Sequence, residues 1–158
     1  MRTIALAACL AAATAAGAQD AMPEGRDLSR QSFIDIDESK DSAVSTDELM
    51  AYGELVFVSQ DTDEDGGISE QEFTSWGFGH AGIAEEQRQT QAYLTAQRIV
   101  FDIWDRDNDA SISPEEQRYG LESSFAYADA DGNGALAEDE YLDNFIVNIG
   151  LRNALTAE

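Results

Sequence analysis

The sequence predicts an all-α protein built from four helix–loop–helix units, and two repeated features carry this prediction. Four stretches of twelve residues each begin with aspartate and end with glutamate, at 37–48, 61–72, 105–116 and 129–140. A phenylalanine stands four residues before each stretch, as Phe33, Phe57, Phe101 and Phe125. Because a helical turn takes about 3.6 residues, each ring is expected on the core-facing side of a helix that enters the stretch. The stretches are called loops one to four below.

The four loops form a duplicated two-loop unit. Loops one and two start 24 residues apart, as do loops three and four, whereas loops two and three start 44 residues apart. Only twelve residues separate the two loops of each unit, which is room for one shared helix of three to four turns. Such a helix holds its loops about 20 Å apart. We therefore expect loop two to pair with loop three, and loop one with loop four, unless Gly53 and Gly120 break the shared helices and restore pairing in chain order.

The spacing of acidic residues within the loops is typical of a calcium site. Calcium takes six to eight oxygen ligands, and a short loop supplies them from alternate side chains, one backbone carbonyl and a terminal glutamate that contributes two oxygens. Loop two has Asp61, Asp63 and Asp65, then Gly66 for the sharp turn, and Glu72 at position twelve. Loop four has the same pattern with asparagine at position five.

Loops one and three depart from this pattern. Loop one has Ser39 at position three, a neutral ligand, and Ser42 where the turn favours glycine. Loop three keeps its carboxylates but has Ala110 at the glycine position. A residue with a Cβ adopts a positive φ only at a cost in free energy. We expect all four loops to bind metal, with loop one the weakest.

The predicted metal ligands are the residues at positions one, three, five and twelve, together with the carbonyl at position seven. They are Asp37, Ser39, Asp41, Ala43, Glu48, Asp61, Asp63, Asp65, Gly67, Glu72, Asp105, Asp107, Asp109, Ser111, Glu116, Asp129, Asp131, Asn133, Ala135 and Glu140. Position eight is always apolar, which predicts a short strand that pairs two loops.

Some of the same residues also fit a purely structural role at the start of a helix. Serine followed three residues later by glutamate is a helix capping box, and it occurs at the end of loops one, two and three. The two readings are compatible, because a loop of this kind ends where its second helix begins. Between loops two and three, residues 73–104 predict a short helix, a glycine-rich turn at Gly77–Gly82, and one long helix from Ala84 to Trp104.

Residues 30–149 resemble the EF-hand superfamily of calcium-binding proteins. The close loop spacing also resembles lanmodulin, a periplasmic bacterial family that selects lanthanides. That family has proline at position two and usually aspartate at position nine. Here position two is Glu38, Thr62, Arg106 or Ala130, and position nine is serine or alanine. The resemblance therefore implies calcium as the cofactor, up to four ions, with lanthanide binding as an alternative function.

The first eighteen residues have the features of a cleavable secretory signal. Arg2 precedes an apolar, alanine-rich run, and Ala16-Gly17-Ala18 fits a cleavage site with the cut after Ala18. We expect a bacterial protein that is periplasmic or secreted. The predicted organisation is a signal peptide at 1–18, a flexible segment at 19–29, and two units at 30–80 and 81–158 that form one globular domain.

The net charge of the chain limits the classes of partner that it can bind. The formal net charge is −23, which argues against nucleic acid and against anionic lipid surfaces. No histidine, serine or cysteine has a sequence context that recommends catalysis, so we do not expect an enzyme. Only Met22 and Met50 remain after the predicted cleavage, which disfavours a methionine-rich sensor groove. A calcium buffer or calcium-stabilised module is the leading expectation; a calcium-switched protein with one unidentified protein partner is the alternative.

Overall fold

The computed structural model describes residues 23–77 and 79–155, with side chains described from Gly25 onward. The predicted signal peptide at 1–18 lies outside the described residues. The sequence predicts an all-α fold, and the described chain is mainly α-helical with two small sheets. In the described ranges, no helix is both long and apolar enough to cross a membrane.

The elements follow the repeat that the loops predict. The helices of the first half are α1 (Pro23–Ile36), α2 (Thr46–Gln60), α3 (Glu70–Ser75) and α4 (Ala81–Glu86). Those of the second half are α5 (Thr90–Trp104), α6 (Pro114–Ala128), α7 (Glu138–Asn144) and α8 (Ile146–Ala154). The strands are β1 (Ala43–Ser45), β2 (Ile68–Ser69), β3 (Ser111–Ile112) and β4 (Ala135–Ala137).

The pairing of the loops is the crossed one. Strand β1 pairs antiparallel with β4, and Val44 lies opposite Leu136. Strand β2 pairs antiparallel with β3, and Ile68 lies opposite Ile112. All four of these side chains at position eight are buried. The predicted pairing of loop one with loop four and of loop two with loop three is therefore confirmed.

Helices α2 and α6 are the shared helices, and neither is broken by its glycine. A Cβ at Gly53 would lie 2.3 Å from Leu121 Cδ1, and a Cβ at Gly120 would lie 2.7 Å from the Trp104 ring. Glycine at these positions lets neighbouring side chains approach the helix backbone closely. The two glycines thus serve packing between elements and do not interrupt the helices.

The core is continuous across both halves of the chain. One buried cluster includes Phe33, Phe57, Phe101 and Phe125, which confirms the prediction that the repeated phenylalanines face a shared core. Phe73 of α3 makes edge contacts with Phe101 and with Trp104. A smaller cluster joins α4, α5 and α8 through Ala84, Tyr93 and Leu151.

Two predicted segments need correction. Helix α1 begins at Pro23, inside the segment 19–29 that was expected to be flexible. Arg26 forms an ion pair with Asp143, and Ser29 is buried, so tertiary contacts hold these residues in a helix. Residues 19–22 lie outside the described part of the chain.

The long helix predicted from Ala84 to Trp104 is also wrong, because it is two helices. Helix α4 ends in a Schellman motif, in which the N–H of Gln89 donates to the Ala84 carbonyl at 2.7 Å and the N–H of Arg88 donates to the Glu85 carbonyl. Arg88 has a φ of 61° at the position where this motif usually has glycine. The chain therefore turns at 87–89, and α5 starts at Thr90.

Candidate metal centre

Each loop begins at the end of one helix and ends in the first turn of the next. Asp61, Asp105 and Asp129 are the C-terminal cap residues of α2, α5 and α6, and each N–H donates to the phenylalanine carbonyl four residues earlier. The backbone then turns through positive φ at positions four and six of every loop. The residues concerned are Lys40, Ser42, Glu64, Gly66, Asn108, Ala110, Gly132 and Gly134.

The first aspartate of every loop organises this turn. In loop two, Asp61 Oδ1 accepts a hydrogen bond from the Asp65 N–H at 3.1 Å, and Oδ2 accepts one from the Gly66 N–H at 3.1 Å. The same two bonds occur from positions five and six in the other three loops. The carboxylate is therefore held inside the loop, with its oxygens facing the turn.

The glutamate at position twelve closes each loop from the opposite side. Glu72 Oε1 accepts hydrogen bonds from the N–H groups of Thr62 and Asp63, at 2.7 and 3.3 Å. Its other oxygen, Oε2, accepts from the N–H and the hydroxyl of Ser69. The predicted capping boxes are confirmed at Ser45, Ser69 and Ser113. In loop four, Ala137 supplies only its N–H to Glu140.

In loops one, two and three, hydrogen bonds lower the pKa of the closing glutamate. The N–H of Ser45, then its hydroxyl and the N–H of Ser39, lower the pKa of Glu48 to about 2. The N–H of Ser69 does most to lower the pKa of Glu72 to about 2. Partial burial raises the pKa of Glu116, but the hydrogen bonds from the Ser113 backbone and hydroxyl outweigh it, and the net pKa is lowered.

Three loops bring carboxylates close enough to share one metal ion. The groups are Asp61, Asp63 and Glu72; Asp105, Asp107 and Glu116; and Asp129, Asp131 and Glu140, each with ligand oxygens within 4.8 Å of one another. Two oxygens bound to one calcium ion are separated by at most about 5.2 Å, which is twice the longest usual calcium–oxygen distance. The donor sets of loops two, three and four therefore fit a hard divalent cation.

Loop one does not form such a group among the described residues. Its position three is Ser39, whose hydroxyl donates to Asp37 Oδ1 at 3.2 Å. The N–H of Glu38 donates to the Ile36 carbonyl, so Glu48 Oε1 accepts from the Ser39 N–H and not from the N–H at position two. Loop one thus has the same turn as the others, with serine in place of the carboxylate at position three.

The remaining predicted ligands lie near these groups but outside them. At position five, Asp41, Asp65, Asp109 and Asn133 each accept a hydrogen bond from the N–H at position seven. The residues that carry the position-seven carbonyls are Ala43, Gly67, Ser111 and Ala135, and they lie at the start of the strands or directly before them. The roles of the N–H groups at positions two and three were missed, because backbone donors leave no mark in a sequence.

The chain matches no protein-family model and no curated protein. Evidence for the nature of the site therefore comes from the loops themselves. The site consists mainly of three sets of clustered carboxylates and four repeats of one backbone turn.

Proposed function

We propose that this is an EF-hand protein that binds calcium through its acidic loops and acts outside the cytoplasm as a calcium buffer or a calcium-stabilised module. The main support for this proposal is the clustering of the aspartates at positions one and three with the glutamate at position twelve, which occurs in loops two, three and four. Clustered, ionised carboxylates with no cation between them repel one another, and a divalent ion removes that repulsion. Up to four calcium ions are proposed, with loop one the weakest site.

The net charge of −23 supports a link between metal binding and folding. Self-repulsion destabilises a compact acidic chain, and bound cations reduce it. The predicted mature chain has no cysteine, since Cys9 lies in the signal segment, so disulfides cannot supply this stability. Metal is therefore proposed to stabilise the fold as well as to occupy the loops.

The experiment is a titration of metal-free protein with calcium and, separately, with lanthanum. Trp104 adjoins Asp105 and packs on Phe73, so its fluorescence reports on loops two and three, while far-UV circular dichroism reports on helix content. A saturable transition with calcium between micromolar and millimolar concentrations is expected. Calorimetry is expected to resolve three stronger sites and one weaker site.

Two outcomes would redirect the proposal. If calcium changed neither signal while lanthanum folded the chain at far lower concentration, the function would be lanthanide binding of the lanmodulin type. If neither ion bound, the loops would be helix-capping structures alone.

No catalytic function is proposed, because the loops account for the clustered acidic residues without one.

A further inference from the structure

A cavity of about 530 Å³ lies between the helices, and its lining is mainly apolar and aromatic. Its walls include Tyr52, Phe73, Trp104, Leu121 and Tyr141. Small-molecule sites in proteins are typically ~300–1,000 Å³ in volume and have linings of this kind. The volume and the lining therefore fit a small molecule.

One polar group inside the lining lacks a partner. Gln60 is 2% exposed, lines the cavity, and its Nε2 has no hydrogen-bond partner within the described part of the chain. A buried donor left unpaired costs about 1–3 kcal/mol. Because this Nε2 atom has less than 1 Å² of accessible surface, a ligand oxygen would reach it after the Gln60 side chain rotates toward the cavity, and the bond would then remove that cost. Gln60 thus indicates one chemical feature of the ligand.

The charges around the cavity disfavour an anion. The described lining residues include no lysine or arginine; Asp35 is exposed, and the Nε2–H of the buried His80 donates to the Gly25 carbonyl. The chain as a whole carries a formal charge of −23. A buried anion without a cationic partner is strongly disfavoured. A buried cation is disfavoured for the same reason, because Asp35, the only carboxylate among the described lining residues, is exposed. The ligand class that fits is therefore neutral.

The cavity is also tied to the loops by its position. Seven lining residues directly precede the first residue of a loop or directly follow its last residue. They are Ile36, Leu49, Gln60, Phe73, Trp104, Gln117 and Tyr141. All four loops are represented among them. A change in the orientation of the helices at the loops would therefore change the shape of the cavity.

We propose that this cavity binds a neutral, apolar small molecule with one hydrogen-bond-accepting oxygen, and that its occupancy is coupled to metal binding in the loops. The ligand class stands on the cavity itself, whereas the coupling rests on the proposed function. By linkage, any effect of metal on ligand affinity is matched by an equal effect of ligand on metal affinity.

The test uses Prodan, a neutral naphthalene ketone whose emission shifts to the blue in apolar surroundings, titrated into metal-free and calcium-loaded protein. Energy transfer from Trp76 and Trp104, which both line the cavity, locates the probe. Saturable binding of one Prodan per chain is expected, with an affinity that differs between the two metal states. The anionic probe anilinonaphthalene sulfonate is expected to bind more weakly by about tenfold or more.

Two variants and one matched control locate the site. Val56→Phe adds volume at the cavity wall and is expected to weaken Prodan binding about tenfold. Val58→Phe makes the same change on the same helix at a side chain that is 76% exposed and outside the lining, and it is expected to leave binding unchanged. Gln60→Leu is expected to weaken Prodan binding about three- to tenfold. Binding of an analogue that has a propyl group where Prodan has its propionyl group, and so lacks the carbonyl oxygen, is expected to be unaffected.

Circular dichroism confirms that each variant is folded; if Val56→Phe does not fold, the comparison of the two probes on Gln60→Leu decides alone. Absence of saturable Prodan binding in both metal states would overturn the site and leave water as its content. Equal loss in both phenylalanine variants, equal loss of both probes in Gln60→Leu, or equal binding of the anionic probe would also overturn it. Equal Prodan affinity in both metal states would overturn only the coupling. Failure of calcium to bind would overturn the proposed function and leave the result in metal-free protein intact.

Discussion

Loops one and two differ in their side chains but have the same backbone turn. Loop two encloses the carboxylates of Asp61, Asp63 and Glu72, and Gly66 adopts its positive φ without a Cβ. Loop one has Ser39 in the second of these places, and Ser42 adopts a φ of 71° despite its side chain. The turn is therefore present whether or not the residue at position six favours it.

The comparison separates two properties of a metal loop. The hydrogen bonds from positions five and six to the first aspartate, and those from position nine to the glutamate, are present in both loops. They set the backbone path. The number of carboxylates inside that path sets the affinity for a cation. Loop one has the first property and only part of the second.

The largest expected effect comes from removing the closing carboxylate of a complete loop. Glu72→Gln is expected to lower the calcium affinity of loop two on the order of 100-fold, because it removes a charged ligand that supplies two oxygens. Glu48→Gln is expected to change total binding less, since loop one is the weakest site. Calorimetric titration with calcium measures both.

Glu64→Gln is the matched control for this experiment. It removes the same charge from position four of loop two, where the residue is exposed and belongs to no carboxylate group. A change of less than about threefold is expected, because only long-range electrostatics is altered. If Glu64→Gln weakened binding as much as Glu72→Gln, net charge and not coordination would be the cause.

The next effect tests the contribution of the helices to the loops. Gly120→Ala places a Cβ 2.7 Å from the buried Trp104 ring, and we expect it to lower the free energy of unfolding by about 1–3 kcal/mol. Because α6 joins loops three and four, both should lose calcium affinity together. Urea unfolding and calorimetry measure the two effects.

Gly82→Ala serves as the control for the change at Gly120. It lies in α4, and a Cβ there meets no atom within 4 Å. Alanine in a helix is more stable than glycine by about 0.5–1 kcal/mol, so a small gain in stability is expected. A loss of stability comparable to that of Gly120→Ala would contradict the steric explanation.

A smaller effect should make loop one resemble loop two. Ser39→Asp supplies the missing carboxylate at position three, and we expect the calcium affinity of loop one to rise about tenfold through ligand charge. In Ser39→Asn the new side chain is nearly the same size as aspartate but uncharged, so this variant should raise the calcium affinity much less. Equal gains in the two variants would indicate that ligand size, not charge, limits this loop.

The smallest effect concerns the strain at position six. Ala110→Gly is expected to stabilise the metal-free protein by about 1 kcal/mol, because Ala110 has a φ of 70° and glycine adopts this conformation freely. Ala126→Gly, at an exposed position of α6, should instead destabilise it by about 0.5–1 kcal/mol. Urea unfolding distinguishes them by sign; a loss of stability in Ala110→Gly would contradict the strain argument.

Much of the fold could be predicted because the repeat is local and regular. Three features repeat at a constant position relative to each loop. The phenylalanines are buried in one core, the position-eight residues lie in the paired strands, and the serine–glutamate pairs form capping boxes. The turn at 87–89 could not be predicted. Its usual signal is glycine, and Arg88 adopts the left-handed conformation in its place.

The sequence by itself determined the positions of the four loops, the residues available as ligands and the length of the shared helices, because these depend on spacing along one chain. Tertiary structure decided where α1 begins and the existence of the cavity beside Gln60. These features depend on contacts between residues far apart in the chain. The packing of eight described helices creates them, and no local pattern records that packing.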